Sequence, residues 1–117
     1  MIKIAKMSDM VKAEKVIPQK VKESIEETLT ILDEMYGEDR NVENDLGGYA
    51  VILESKKDID KLKTVHLDIY KDFPEVVEKI EVSKDVSWIK LTFLLSSDYA
   101  IIVVGNAEVI NYNRIQQ

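Results

Sequence analysis

Ser96, Ser97 and Asp98 sit between two apolar runs in the stretch WIKLTFLLSSDYAIIVV, residues 88–104, where a serine beside a carboxylate raises the question of a nucleophile. Such a serine needs a general base within hydrogen-bonding reach to take its proton. The chain has one histidine, His66, and helical spacing puts it on the apolar side of a predicted helix. Neither serine lies in a G-x-S-x-G elbow. The alternative is turn chemistry, and strand register tests it. With Ser96, Ser97 and Asp98 all in the loop of a hairpin, Leu95 opposes Tyr99, Phe93 opposes Ile101 and Leu91 opposes Val103, giving one apolar face. The other face then pairs Leu94 with Ala100, Thr92 with Ile102 and Lys90 with Val104. A two-residue loop at Ser96 and Ser97 would turn Asp98 toward the core, so the three-residue loop is expected, and aspartate tolerates the left-handed residue that such loops use. No catalytic residue is assigned.

A second chemical candidate is the acidic stretch EDRNVEND, residues 38–45, whose Asp39, Glu43 and Asp45 are hard oxygen donors suited to calcium or magnesium. With Asp39 as first ligand of an EF-hand loop, position six is Asn44 rather than glycine and position twelve is Ala50 rather than glutamate, so that motif is absent. A solvated polar loop is the expected reading, with these three as the weak metal candidates; no cofactor is expected. Gly47 and Gly48 precede a strand, whereas phosphate-cradling glycines follow one and open a helix. His66 has no cysteine or second histidine with which to share a metal.

The elements that position these residues follow from periodicity. Val21, Ile25, Thr28, Leu29, Leu32, Met35 and Tyr36 share one helical face over 19–36, opened after Pro18 and stopped by Gly37. A strand is expected over Tyr49–Leu53. Ser55 and Asp58 form a capping-box pattern before a helix over 56–70 carrying Ile59, Leu62, Val65, His66 and Ile69, with Pro74 beyond its end. Residues 76–82 read as a strand, and SKD at 83–85 as the turn into the long hairpin. At the start, Ile2 and Ile4 alternate like a short strand, and Ser8 is placed to cap a helical turn or two carrying Met10, Val11 and Ile17.

The expected class is therefore α+β, one domain over 1–117, with two main helices on a mostly antiparallel sheet of about four strands and a C-terminal hairpin. At 117 residues a chain can bury roughly two-thirds of its unfolded surface without staples. The absence of cysteine excludes disulfides and thiolate chemistry and suits a reducing compartment. Charges at Lys3, Lys6 and Asp9 break any signal-like apolar core, and no run approaches the roughly 20 apolar residues of a membrane span, so a cytoplasmic setting is expected. A net charge of -6 argues against binding nucleic acid unaided. Glu23, Glu26, Glu27, Asp33 and Glu34 line the polar side of the first helix and raise the reading of an acidic inhibitor of a nucleic-acid enzyme, although Lys20 and Lys22 dilute that face.

One pattern asks for more than a solvated sheet. Trp88, Leu94, Ile102 and Val104 make the second face of the hairpin apolar as well, so either helices flank both sides of the sheet or this face meets another chain. These four are the interface candidates, with self-association as a dimer the expected form. The runs NDLGGYAVILESKKDIDKL and FLLSSDYAIIVV, within residues 44–104, resemble small uncharacterised proteins of Gram-positive bacteria and their phages or mobile elements. The resemblance implies a bacterial cytoplasmic setting and no catalytic residue. The expected function is a non-enzymatic accessory or regulatory protein that binds another protein chain or itself, without nucleic-acid or membrane partners. The alternatives are a divalent-metal-dependent ligand-binding domain or enzyme using loop 38–45, and the acidic inhibitor.

Overall fold

A computed structural model describes residues 1–37, 49–65, 75–96 and 99–115. Its elements are strand β1 (Ile2–Ile4), a 3-10 helix (Met7–Lys12), helix α1 (Gln19–Tyr36), β2 (Ala50–Leu53), α2 (Lys56–Val65), β3 (Glu75–Ser83), β4 (Val86–Ser96), β5 (Tyr99–Asn106) and α3 (Ala107–Ile115). The class is α+β, as expected. One mixed five-stranded sheet runs in the order β1-β2-β5-β4-β3, rather than four strands. Three of its four pairings are antiparallel, but β2 and β5 run parallel, with Ala50 opposite Ile102 and Leu53 opposite Gly105.

Helix α1 spans the residues predicted for it. Gly37 ends it with φ of 94°, a backbone region that side chains with a Cβ rarely enter, while its N–H donates to the Asp33 carbonyl at 2.8 Å. Val21, Ile25, Leu29 and Leu32 are buried, whereas Met35, expected on the same face, is exposed. Helical spacing accounts for this: Met35 falls with Ser24, Thr28 and Ile31 on a flank turned away from the buried stripe. The return half of the capping box before α2 is present: the Asp58 carboxylate accepts the backbone N–H of Ser55, and also that of Glu54 at 2.8 Å. The first helical turn is not capped by Ser8. Asp9 does this instead, its Oδ2 accepting the N–H groups of Ala5 at 3.0 Å and Lys6 at 3.3 Å, and Val11 is solvent-exposed while Met10 and Ile17 are buried.

The hairpin register expected from the sequence holds from Lys90–Val104 through Leu94–Ala100. The last rung differs. A bulge between Leu94 and Ser96 sets Ser96, not Leu95, opposite Tyr99, so β4 runs one residue further than a three-residue loop allows. Bulges are favoured where a strand bends toward its turn, and side-chain alternation does not reveal them.

The sheet is covered on both faces. On one, α1 and the 3-10 helix pack over Ile4, Ala50, Ile52, Trp88, Ala100, Ile102 and Val104. On the other, α2 and α3 pack over Val51, Leu53, Ile89, Leu91, Phe93, Ile101 and Val103. Helix α3 was not expected, and Gly105 lets it in: a Cβ there would lie 3.1 Å from the Ile110 side chain. The apolar second face of the hairpin is thus covered from within. Trp88 retains 8% of its surface, and Ile102 and Val104 none, so of the two kinds of cover considered for this face, helices of the same chain, α1 and the 3-10 helix, supply it at these three residues. Of the four interface candidates only Leu94, at 45%, is exposed.

This placement predicts that Trp88→Glu unfolds the chain rather than dissociating an assembly. Removing the indole and burying an unpaired carboxylate should lower stability by about 3 kcal/mol or more. Urea unfolding followed by far-ultraviolet circular dichroism checks this, and an unchanged midpoint would place the Trp88 side chain at the surface.

Candidate functional site

Three features bear on what this chain can do. The first is a polar cluster where α1 crosses the sheet. Lys90 stands mid-strand in β4 on the face covered by α1, its side chain 8% exposed, a position where an ammonium must be met by hydrogen bonds. It is met in full. Its Nζ donates to Thr28 Oγ1 and Ser24 Oγ at 2.7 Å each and to the Ser24 carbonyl at 3.3 Å, and pairs with Glu78 Oε2 at 2.6 Å. The Ser24 hydroxyl in turn donates to Glu78 Oε2 at 3.1 Å. A serine 2.7 Å from a lysine has the spacing of a nucleophile and its base, but a base needs a free lone pair. Here the nitrogen is ringed by two hydroxyls, a carbonyl and a carboxylate, more acceptors than it has protons to donate, and each of its contacts is spent within the fold. The cluster is a clasp that ties α1 to β3 and β4.

The clasp sets the charge state of Glu78. The hydrogen bond from Lys90 is the largest influence, opposed by partial burial, and the carboxyl is held below its ordinary value of 4.5. On α1's outer side Lys22 bridges Glu14 at 3.0 Å and Glu26 at 3.7 Å, so part of the acidic face noted in the sequence is already neutralised.

The second feature is an apolar band at the β3 edge of the sheet. Val76, 62% exposed, and Leu94, 45% exposed, share the α1 face there, whereas Val77, 52% exposed, projects from the opposite face. Along α1 the flank carrying Ser24 and Thr28 continues to Ile31 and Met35, also exposed. Ser24 lies against Glu78 and Lys20 against the Glu81 carbonyl, so α1 runs antiparallel to β3, and its later turns advance toward the level of Val76 and Leu94. Among the described residues no strand pairs with the outer edge of β3.

The third is a groove of about 610 Å³ at the opposite end of the sheet, where β2 and β5 finish, β4 begins and α3 starts. Leu53, Trp88 and Val109 form its floor, and Val16 and Val86 its partly exposed apolar walls. Glu54, Asp85 and Glu108 supply its charges, and among the described residues no lysine or arginine lines it.

Of the chemical candidates read from the sequence, Ser96 ends β4, and Ser97 and Asp98 lie outside the described residues, as do His66, Gly47, Gly48 and the metal candidates Asp39, Glu43 and Asp45. Among the described residues no group of three or more histidine, cysteine, aspartate or glutamate side chains is placed to hold a metal ion, and no helix is long and apolar enough to cross a membrane. The Lys90 clasp was not anticipated. Its signal was a lysine opposite Val104 on a strand face otherwise apolar.

Comparison with protein-family models, with curated proteins and with solved structures gives no significant match to this chain.

The clasp predicts an acid-sensitive contribution to stability. A carboxyl held low in the fold stabilises above its unfolded value, and that stabilisation is lost as pH falls through the lower, folded value. Wild type should therefore lose stability over Glu78→Gln in the window below about pH 4.5. Because Glu78 is half exposed, the difference near neutrality should be on the order of 1 kcal/mol. Urea midpoints of both proteins across pH 2.5–7 check this; parallel curves would contradict it.

Proposed function

We propose that this chain is a non-enzymatic accessory protein of the cytoplasm that binds another protein chain or a second copy of itself. The observation that carries the reading is the apolar band of Val76 and Leu94 on the α1 face, extended by Ile31 and Met35 on the helix flank. Scattered exposed valines are ordinary, but a band on adjoining strands with a helix flank beside it is the kind of surface that partners cover. Each large side chain buried on docking contributes roughly 1.5–3 kcal/mol against the entropy of association. Glu78, Lys79 and Glu81 on β3 discourage indiscriminate strand addition at that edge, favouring a partner that meets the side chains. In this reading Leu94 keeps the interface role first considered for Trp88, Leu94, Ile102 and Val104. The cytoplasmic setting is supported by the lack of cysteine.

Light scattering coupled to size exclusion tests the self-association arm. A wild-type dimer at tens of micromolar should become monomeric in Val76→Glu combined with Leu94→Glu, with an unchanged circular dichroism spectrum. A strictly monomeric wild type removes self-association and leaves a second protein. Cross-linking in native extract should then capture a protein that the double variant releases. Equal capture by both proteins would contradict the reading.

A further inference from the structure

The groove at the other end of β4 is a separate site. Val86 and Leu94 are eight residues apart on that strand, or roughly 26 Å at about 3.3 Å per residue. We infer that the groove receives a basic segment of a partner protein, an arginine or lysine flanked by apolar residues. Shape and charge both favour such a segment. The floor of Leu53, Trp88 and Val109 is apolar and almost fully buried, and Val86 and Val16 stand 41% and 40% exposed beside it, so an aliphatic chain entering there meets carbon chiefly at the two valines. A volume of about 610 Å³ holds a few side chains rather than a folded element.

Among the described residues the charged side chains that line the groove are all acidic. Glu54 already faces the Met1 ammonium at 3.2 Å, but Asp85 and Glu108 have no ion-pair partner among the described residues. The N-terminus of α3 opens toward the same groove and carries a partial positive charge of roughly half a unit, which acts against a cation. Asn106 Oδ1 accepts the Glu108 N–H at 3.0 Å, satisfying one of that helix's free donors, and the full charges of two unpaired carboxylates outweigh the remainder. Arginine and lysine suit such a site because an aliphatic stem can lie on the apolar floor while the charged head meets the rim. Net charge of -6 attracts a basic partner at long range as well. The site stands apart from the β3 band, so either can fail alone.

Trp88 is the chain's one tryptophan and lies in the groove floor, which makes its fluorescence a direct reporter. The probe is an acetylated, amidated hexapeptide alternating leucine and arginine, titrated into the full chain at low salt, with the leucine–glutamate peptide and free arginine as controls. The expected result is a saturable change in Trp88 emission with the leucine–arginine peptide alone. Affinity should weaken about five- to tenfold in Asp85→Asn combined with Glu108→Gln, as two screened ion pairs imply. It should also fall with added salt. The inference is overturned if no saturable change occurs up to millimolar peptide, or if the leucine–glutamate peptide binds equally. Undiminished affinity of the double variant would place the recognition elsewhere and overturn it too. Free arginine binding as tightly as the peptide would make this a small-cation site and overturn the assignment of a protein segment. Circular dichroism of the double variant confirms that both proteins compared are folded; its carboxylates are exposed, so their replacement leaves the core intact.

Discussion

Strand β5 lies at the centre of the sheet with no side open to water: Ala100 to Val104 are fully buried, and successive residues face α1 and the pair α2 and α3 in turn. A strand that is apolar at every position cannot rest on a single-faced sheet. It demands two helical layers. Much of the architecture follows from that demand, including the parallel docking of β2 alongside β5 and the return of the chain as α3 across the face opposite α1. Gly105 belongs to the same constraint, since a side chain at the end of β5 would press against Ile110 of the helix that closes that face.

The α1 layer has a polar cost that the chain meets locally. Lys90 brings a charge under the helix, and Ser24, Thr28 and Glu78 answer it with hydrogen bonds from two separate elements. A buried ion pair adds little net stability over an apolar substitute, but it penalises every arrangement in which the ammonium is left unmet. It therefore fixes the register of α1 on β3 and β4 more than it strengthens their contact. With α1 held in that register, its flank beyond Thr28 is uncovered and the side chains of Ile31 and Met35 are exposed near one end of the sheet. At the other end the ends of β2 and β5 and the start of α3 frame the groove. The two candidate surfaces are thus consequences of the same packing, one apolar and one apolar with an acidic rim.

Local signals were legible in the sequence, and non-local ones were not. Pro18 and Gly37 bracketed α1 to the residue, Ser55 and Asp58 marked the start of α2, and the alternation of Leu91 and Phe93 against Ile101 and Val103 set the hairpin register as far as the bulge. Parallel pairing of β2 with β5 left no such mark, because Ala50–Leu53 and Ile102–Gly105 are joined only by long-range contact. Where the side chains of α3 are described, Val109 and Ile110 are its buried residues, adjacent in sequence and so a weak periodic pattern; Asn106, which caps it, was the available cue. Leftover apolar residues on the hairpin were visible, but whether an α-helix of the same chain would cover them depends on where α1 crosses the sheet. Lys90 decides that crossing through partners 62 and 66 residues away, a distance at which pattern reading carries no information.

The central claim is that α1 covers the second face of the hairpin within one chain. Trp88 reports on this directly, since it is the lone tryptophan and sits on that face. Its emission spectrum and quenching by acrylamide, followed as the protein is diluted from about 100 μM to below 1 μM, separate intramolecular from intermolecular cover. The account predicts a blue-shifted, weakly quenched emission that stays constant on dilution, even if an assembly comes apart. A red shift and rising quenching that track dissociation would show that another chain, and not α1, keeps water from Trp88.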